Sequence, residues 1–184
     1  MEGEAAGTQE AMGSMLVERS RDKIVFMDSR GKALFVSKRL RRLDIRYEIR
    51  KADGTLIATI VQANGGTYQA AVYDSLNYLA GSIVEVEPGS SLNKGYIILS
   101  KSNDEIARTT GFPMNKNFVV TAAPDGKEVA KMVKHKPANI FESIAMFMRS
   151  TYMLENFGST LDPVLLMAAV VIYINTLHKM GEVP

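Results

Sequence analysis

The chain contains no cysteine. That absence excludes disulfides, a thiol nucleophile, thiolate zinc sites and S-palmitoylation, and it suits a reducing compartment. It has two histidines, His135 and His178. Neither stands in an arrangement that suggests a catalytic triad, and no H-E-x-x-H zinc motif occurs. His135, in KMVKHKP, reads as a solvated loop residue. No G-x-G-x-x-G or Walker-type phosphate loop is present, and Gly65-Gly66 in QANGGTY reads as a turn. There is no N-x-[ST] sequon. Acid pairs such as Asp104-Glu105 fall in turns, where solvation explains them. The expectation is a protein that is not an enzyme and carries no cofactor.

Charge of one sign is also lacking. The formal net charge is +2, too small for general attraction to nucleic acid, so any anion site must be local. The N-terminal MEGEAAGTQEAMGS has neither the basic and apolar regions of a signal peptide nor the arginines of a transit peptide. Residues 1–14 read as a disordered tail, and 15–180 as one domain. At 184 residues the chain is long enough to bury a substantial core. The expected setting is intracellular and cytoplasmic, peripheral to a membrane, with the protein monomeric.

Long hydrophobic runs are absent with one exception. Within LDPVLLMAAVVIYINTLHK, positions 164–174 are apolar throughout. About 20 apolar residues are needed to cross a bilayer, and Asp162 and Asn175 confine this run to roughly a dozen. A helix apolar all round belongs in lipid or inside protein; this one is too short to span comfortably, so a buried helix at about 162–179 is expected. Asp162 suits the N-cap and Pro163 the first helical position. His178 and Lys179 place positive charge at the negative end of the helix dipole.

What remains is a succession of short strands. In LDIRYEI, Leu43, Ile45, Tyr47 and Ile49 alternate with Asp44, Arg46, Glu48 and Arg50, the period of a strand with one buried face. Similar segments occur at 15–19, 23–28, 33–37, 55–61, 67–73, 82–87, 95–100, 105–110, 117–122, 127–133, 143–148 and 150–155. In PANIFESIAMFMRSTYMLEN, Ile140, Ile144, Phe147 and Met148 also suit one face of an amphipathic helix, but the alternation of Ile144, Met146 and Met148 and the pair Thr151-Tyr152 favour strands. IVFMDSRGKALFVS, YEIRKADGTLIATI and FVVTAAPDGKEVAKMV share a strand–Asp/Gly turn–strand design, and IILSKSNDEIARTT repeats it with Asn103-Asp104. These are four β-hairpins; the likeness of hairpins in any meander is the favoured account of their similarity, with gene duplication the alternative. The fold class is mainly β: an antiparallel closed barrel of about 12 strands. Such a barrel is wider than its own side chains can fill. The apolar C-terminal helix is the natural plug.

The hairpins KIVFMDSRGKALFVSKRL and YEIRKADGTLIATIV, with the ending YMLENFGSTLDPVLLMAAVVIYI, resemble the tubby C-terminal-like superfamily, in particular phospholipid scramblases and plant LURP-one-related proteins. The ending carries Asn156-Phe157-Gly158, then Leu161-Asp162, then the apolar helix, as scramblases do. The likeness covers most of residues 15–180. It implies the barrel with a central helix and, because tubby-type domains bind phosphoinositides, an anionic phospholipid surface as partner. Of the acidic, calcium-associated segment of scramblases, only Glu155 and Asp162 remain. Calcium takes six to eight oxygen ligands, so these two acids are a weak calcium candidate. The cysteine cluster and proline-rich N-terminal region of animal scramblases are missing.

One charge cluster stands out. SKRLRRLDIRYEIRK holds Lys38, Arg39, Arg41, Arg42, Arg46, Arg50 and Lys51. It suits a solvated outer face and a sheet edge kept apart by charge. It equally suits an anion site, where clustered cations attract lipid headgroups at about 1 kcal/mol each. Nucleic acid would use the same charges, but interleaved exposed aromatics are lacking. The favoured function is a scramblase-like or LURP-one-related domain that binds anionic headgroups through this cluster. A protein-interaction or regulatory module without a lipid role, and a true phospholipid scramblase, are the alternatives.

Overall fold

The computed structural model describes residues 13–20, 22–41, 45–63, 69–86, 95–110, 117–135, 150–156 and 161–179. The expected strand at 143–148, most of the N-terminal tail, Leu43, Asp44 and Arg42, and Phe157-Gly158 of the scramblase-like motif lie outside these residues.

Twelve strands form a closed antiparallel barrel in which each strand pairs with its sequence neighbours and β1 pairs with β12. The first six are β1 (Ser14–Ser20), β2 (Lys23–Met27), β3 (Ala33–Arg41), β4 (Ile45–Lys51), β5 (Leu56–Gln62) and β6 (Gln69–Asp74). The rest are β7 (Leu79–Val86), β8 (Gly95–Ser100), β9 (Glu105–Thr110), β10 (Asn117–Ala122), β11 (Glu128–Lys134) and β12 (Ser150–Asn156). One helix, α1 (Pro163–Lys179), follows.

The alternation that marks these segments as strands also chooses the lumen. Met15 and Val17 of β1, Ile24 and Phe26 of β2, Tyr47 and Ile49 of β4, and Ala58 and Ile60 of β5 are buried, while their neighbours along each strand are not. Closure comes from β1 lying against β12, with Ser14 opposite Glu155 and Arg19 opposite Ser150. The carbonyl of Gly13 accepts the N–H of Asn156, so ordered pairing begins slightly earlier than the expected tail boundary. β3 runs to Arg41 and β7 begins at Leu79, both longer than the sequence segments 33–37 and 82–87.

Five hairpin turns gather at one end of the barrel: β2–β3, β4–β5, β6–β7, β8–β9 and β10–β11. Four share one geometry. The first residue's N–H donates to the fifth residue's carbonyl, and the fourth residue's N–H donates back to the first carbonyl. The fourth residue is Gly31, Gly54, Asn77 or Asn103, each with positive φ, where glycine and asparagine are tolerated best. The β10–β11 turn is one residue longer and has Gly126 at φ 68. The β6–β7 turn at Asp74–Tyr78 belongs to this set although the sequence pattern did not single it out.

Helix α1 enters at this same end and runs through the lumen beside β5–β8. Asp162 caps it: its Oδ1 accepts the N–H of Val164 at 2.8 Å and its carbonyl accepts the N–H of Leu166. Every residue from Leu165 to Ile174 is buried. Each large apolar side chain so placed contributes roughly 1.5–3 kcal/mol relative to exposure. Gly81 on β7 makes the approach possible, because a Cβ there would press on the Leu99 carbonyl and lie about 3.1 Å from the Leu165 side chain. Tyr173 of the helix packs on Phe118 of β10, with ring centroids 4.6 Å apart.

Candidate functional site

The basic segment falls on the β3–β4 hairpin, and the pleat divides it. Partners across the two strands share a face: Lys38 lies opposite Glu48, Arg39 opposite Tyr47, Leu40 opposite Arg46, and Arg41 opposite Ile45. Tyr47 and Ile49 are buried in the lumen. Arg39 therefore shares the lumen-facing side with Tyr47 at the mouth of the barrel, while Lys38, Arg46 and Arg50 stand on the outer wall. Arg41 pairs with Ile45 at the end of β3, and Arg42 lies outside the described residues.

Distance along the strand divides the cluster again. Arg50 and Lys51 lie at the hairpin-turn end of β4 and Arg46 at the other, about 13 Å away for four residues of strand. Arg50 is already engaged: its guanidinium meets Glu48 at 2.9 Å and donates to the Gly54 carbonyl at 2.8 Å. Lys38 and Arg39 are exposed and Arg46 is half-buried. Among the described residues no carboxylate pairs with these three. The seven basic residues are thus not one surface. Lys38 and Arg46 share the outer wall at the mouth end of β3–β4, Arg39 stands at the lumen rim beside them, and Arg50 and Lys51 sit apart. Because the barrel is closed, β3 and β4 are not an edge, and edge protection no longer explains the charge.

A further cation was missed. Arg19 is only 7% exposed on the lumen side of β1, in the alternating series Met15, Val17, Arg19. Desolvation lowers its pKa from the usual arginine value, opposed by its interactions with Tyr152 and Tyr47. Burial raises the pKa of Tyr47, opposed by Arg39 and Arg19. The four side chains share one electrostatic neighbourhood inside the mouth. The parity of the β1 pattern could have revealed Arg19, since it occupies the third of three inward positions.

On the other side of the lumen, Tyr96 is buried on β8 and its hydroxyl lies 2.9 Å from Oγ1 of Thr176. Thr176 Oγ1 also lies 3.0 Å from the Ile172 carbonyl, and either hydroxyl can donate to the other. Burial pushes the Tyr96 pKa up to about 12, with the Thr176 hydrogen bond opposing and Glu85 adding to the rise.

Of the calcium candidates, Asp162 is occupied as the helix cap, and Glu155 stands on β12 in register with Lys131 of β11. Among the described residues, no group of three or more histidine, cysteine or acidic side chains could hold a metal ion. No described helix is long and apolar enough to cross a membrane.

No family model matches the chain, and no curated protein sequence matches it. Among solved structures it is similar to the X-ray structure of a protein from Arabidopsis thaliana, with a TM-score of 0.64 at 16% identity. The match covers 91% of this chain and 94% of that one. A likeness at that identity shows a shared fold.

Proposed function

We propose that this chain is a non-catalytic barrel of the LURP-one-related and scramblase-like type that binds anionic phospholipid headgroups through Lys38, Arg39 and Arg46. The observation that carries the reading is that these three cations lie at the mouth end of the paired strands β3 and β4, Lys38 and Arg46 on the outer wall and Arg39 at the lumen rim, with no carboxylate in a salt bridge to them among the described residues. A closed barrel holds the hairpin in place without an ordering cost on binding. Each cation near an anionic surface is worth about 1 kcal/mol. The apolar helix is enclosed by the wall, which favours surface binding over helix insertion and lends no support to lipid translocation.

Sedimentation with vesicles tests the reading. Vesicles containing phosphatidylserine or phosphoinositides should bind the protein and pure phosphatidylcholine should not, with binding weakening as salt shortens the roughly 10 Å screening length at 0.1 M. Charge reversal at Lys38, Arg39 and Arg46 together should weaken binding by about a hundredfold or more, from three contributions near 1 kcal/mol. Reversing Arg50, which is already paired, should do much less. Headgroup-independent binding, or none at low salt alongside recovery of one specific protein partner, would replace this reading with a protein-interaction module.

A further inference from the structure

The outer wall of β5–β8 differs from the rest of the barrel. These four strands contain no lysine or arginine and only two carboxylates, Asp74 and Glu85. Asp74 is turned into its own hairpin, where Oδ1 accepts the N–H groups of Leu76 and Tyr78, each at 2.9 Å. Glu85 stands opposite buried Tyr96 on the lumen side. The outward positions are apolar or uncharged: Val61 beside Ala71, Thr59 beside Tyr73, and Gln69 beside Val84 and Ile97. Elsewhere the outer wall carries charge, as at Lys23, Arg46, Arg108 and Lys131.

This face ends in the β6–β7 turn, which holds the exposed large hydrophobics among the described residues. Leu76 is 75% exposed, Tyr78 69% and Leu79 43%. The turn is held by the two Asp74 side-chain bonds, by its backbone bonds and by Asn77 at φ 65. Leu76 and Tyr78 therefore project from a fixed scaffold. Apolar residues kept in water on a rigid turn point to a partner.

The border identifies the chemistry of that partner. Lys51 and Lys101 occupy the turns on either side, and both are exposed. Lys38 and Arg46 stand on β3 and β4 along one flank. Of the carboxylates nearby, Glu48 is paired with Arg50 and Glu105 with Arg108. Asp53, Asp74 and Asp104 stand against Lys38, Arg46, Lys51 and Lys101, which leaves a formal excess of one positive charge. An apolar face bordered by positive charge matches a layer with an apolar interior and anionic headgroups. Tyr78, with its apolar ring and polar tip, suits the level of the headgroups.

We propose that the uncharged outer wall of β5–β8 and the β6–β7 turn form a membrane-docking face, with Leu76 and Tyr78 inserted at the boundary between headgroups and acyl chains. The barrel then lies on its side, so that Lys38 and Arg46 at one end and the turn at the other meet the same lipid plane. The inference rests on the headgroup reading above for its lipid surface and adds the depth and orientation of contact.

The chain contains no tryptophan, so a single introduced one reports without background. Leu76→Trp and, as a control on the outer face of β12 across the barrel, Met153→Trp are each mixed with vesicles of three parts phosphatidylcholine to one part phosphatidylserine. Emission from position 76 should shift to shorter wavelength and be quenched by bromine on the acyl chains; emission from position 153 should do neither. The double variant Leu76→Ser/Tyr78→Ser keeps every cation, and its substituted side chains are exposed. It should melt with the parent and lose affinity for these vesicles by about tenfold or more. Vesicle binding that needs Lys38 and Arg46 but ignores the double variant would overturn the docking face and leave the headgroup site standing. Absence of vesicle binding by the parent would overturn both. A concentration-dependent dimer abolished by the double variant, with no change at position 76 on adding vesicles, would assign the face to a second copy of the chain.

Discussion

At the scale of single residues, Tyr96 and Gly81 show how the wall accepts the helix. Tyr96 is a buried phenol whose ionised form has no favourable place, and its pKa is raised to about 12 from 10.0. An acid whose folded pKa is raised contributes stability that is intact below its unfolded pKa and is lost as pH climbs toward the folded one. Unfolding free energy should therefore begin to fall above about pH 10 and continue falling to about pH 12. Tyr96→Phe should flatten that part of the profile in chemical denaturation, at some cost at neutral pH from the lost hydrogen bond to Thr176. Gly81 acts through space alone. Gly81→Ala puts a methyl group against the Leu99 carbonyl and the Leu165 side chain, and overpacking of this kind costs about 1–3 kcal/mol. A lowered urea midpoint with unchanged slope would confirm it; an unchanged midpoint would mean the wall yields freely.

At the scale of elements, α1 depends on its first turn more than its apolar composition suggests. A helix apolar on all sides has no amphipathic face to fix its start, so Asp162 and Pro163 set where it begins. Asp162→Ala should cost about 1 kcal/mol in the free energy of unfolding, while Asp162→Asn should retain most of the stability. If alanine and asparagine are equally harmful, the carboxylate has a role beyond the cap. The hairpins use the same economy: Asp28, Asp53, Asp74 and Asp125 each accept backbone N–H groups of their own turn. The acids at this end are thus largely drawn back to the backbone, while the lysines reach outward on long stems.

For the whole molecule, wall and helix are one cooperative unit. The inward faces of the strands meet the helix or each other, and removing residues 162–184 would expose them together. The truncated chain should be insoluble or molten, without the sharp thermal transition of the parent. A truncated protein that melts like the parent would show that the helix is dispensable to the barrel. The intact protein should give a far-ultraviolet spectrum dominated by β signal. The lumen is apolar, and most charged side chains of the wall stand on its outer face outside β5–β8; a transmembrane barrel has a polar lumen.

The strands and the helix were legible in the sequence because their signals are local. Alternation at Leu43–Ile49, Asp-Gly turns and an apolar run closed by Asp162 and Asn175 each declare an element within a few residues. The β6–β7 turn escaped notice because Ser75, Leu76 and Tyr78 look unlike a turn, while Asp74 and Asn77 set its geometry by hydrogen bonding and φ. For the candidate site, composition was legible and arrangement was not. Seven nearby cations read as one patch, yet the pleat sends Arg39 to the lumen side and Lys38 to the outer wall, and strand length carries Arg50 and Lys51 away from both. Arg19 joins the mouth only because β1 closes the barrel against β12. By itself the sequence determined which segments are strands, that one helix must be buried, and which side chains could carry charge. These follow from periodicity and length within single segments. Only the tertiary structure decided which cations share a surface and that four consecutive strands present an uncharged wall beside Leu76 and Tyr78. Both depend on register and closure between strands distant in sequence, which no local pattern contains.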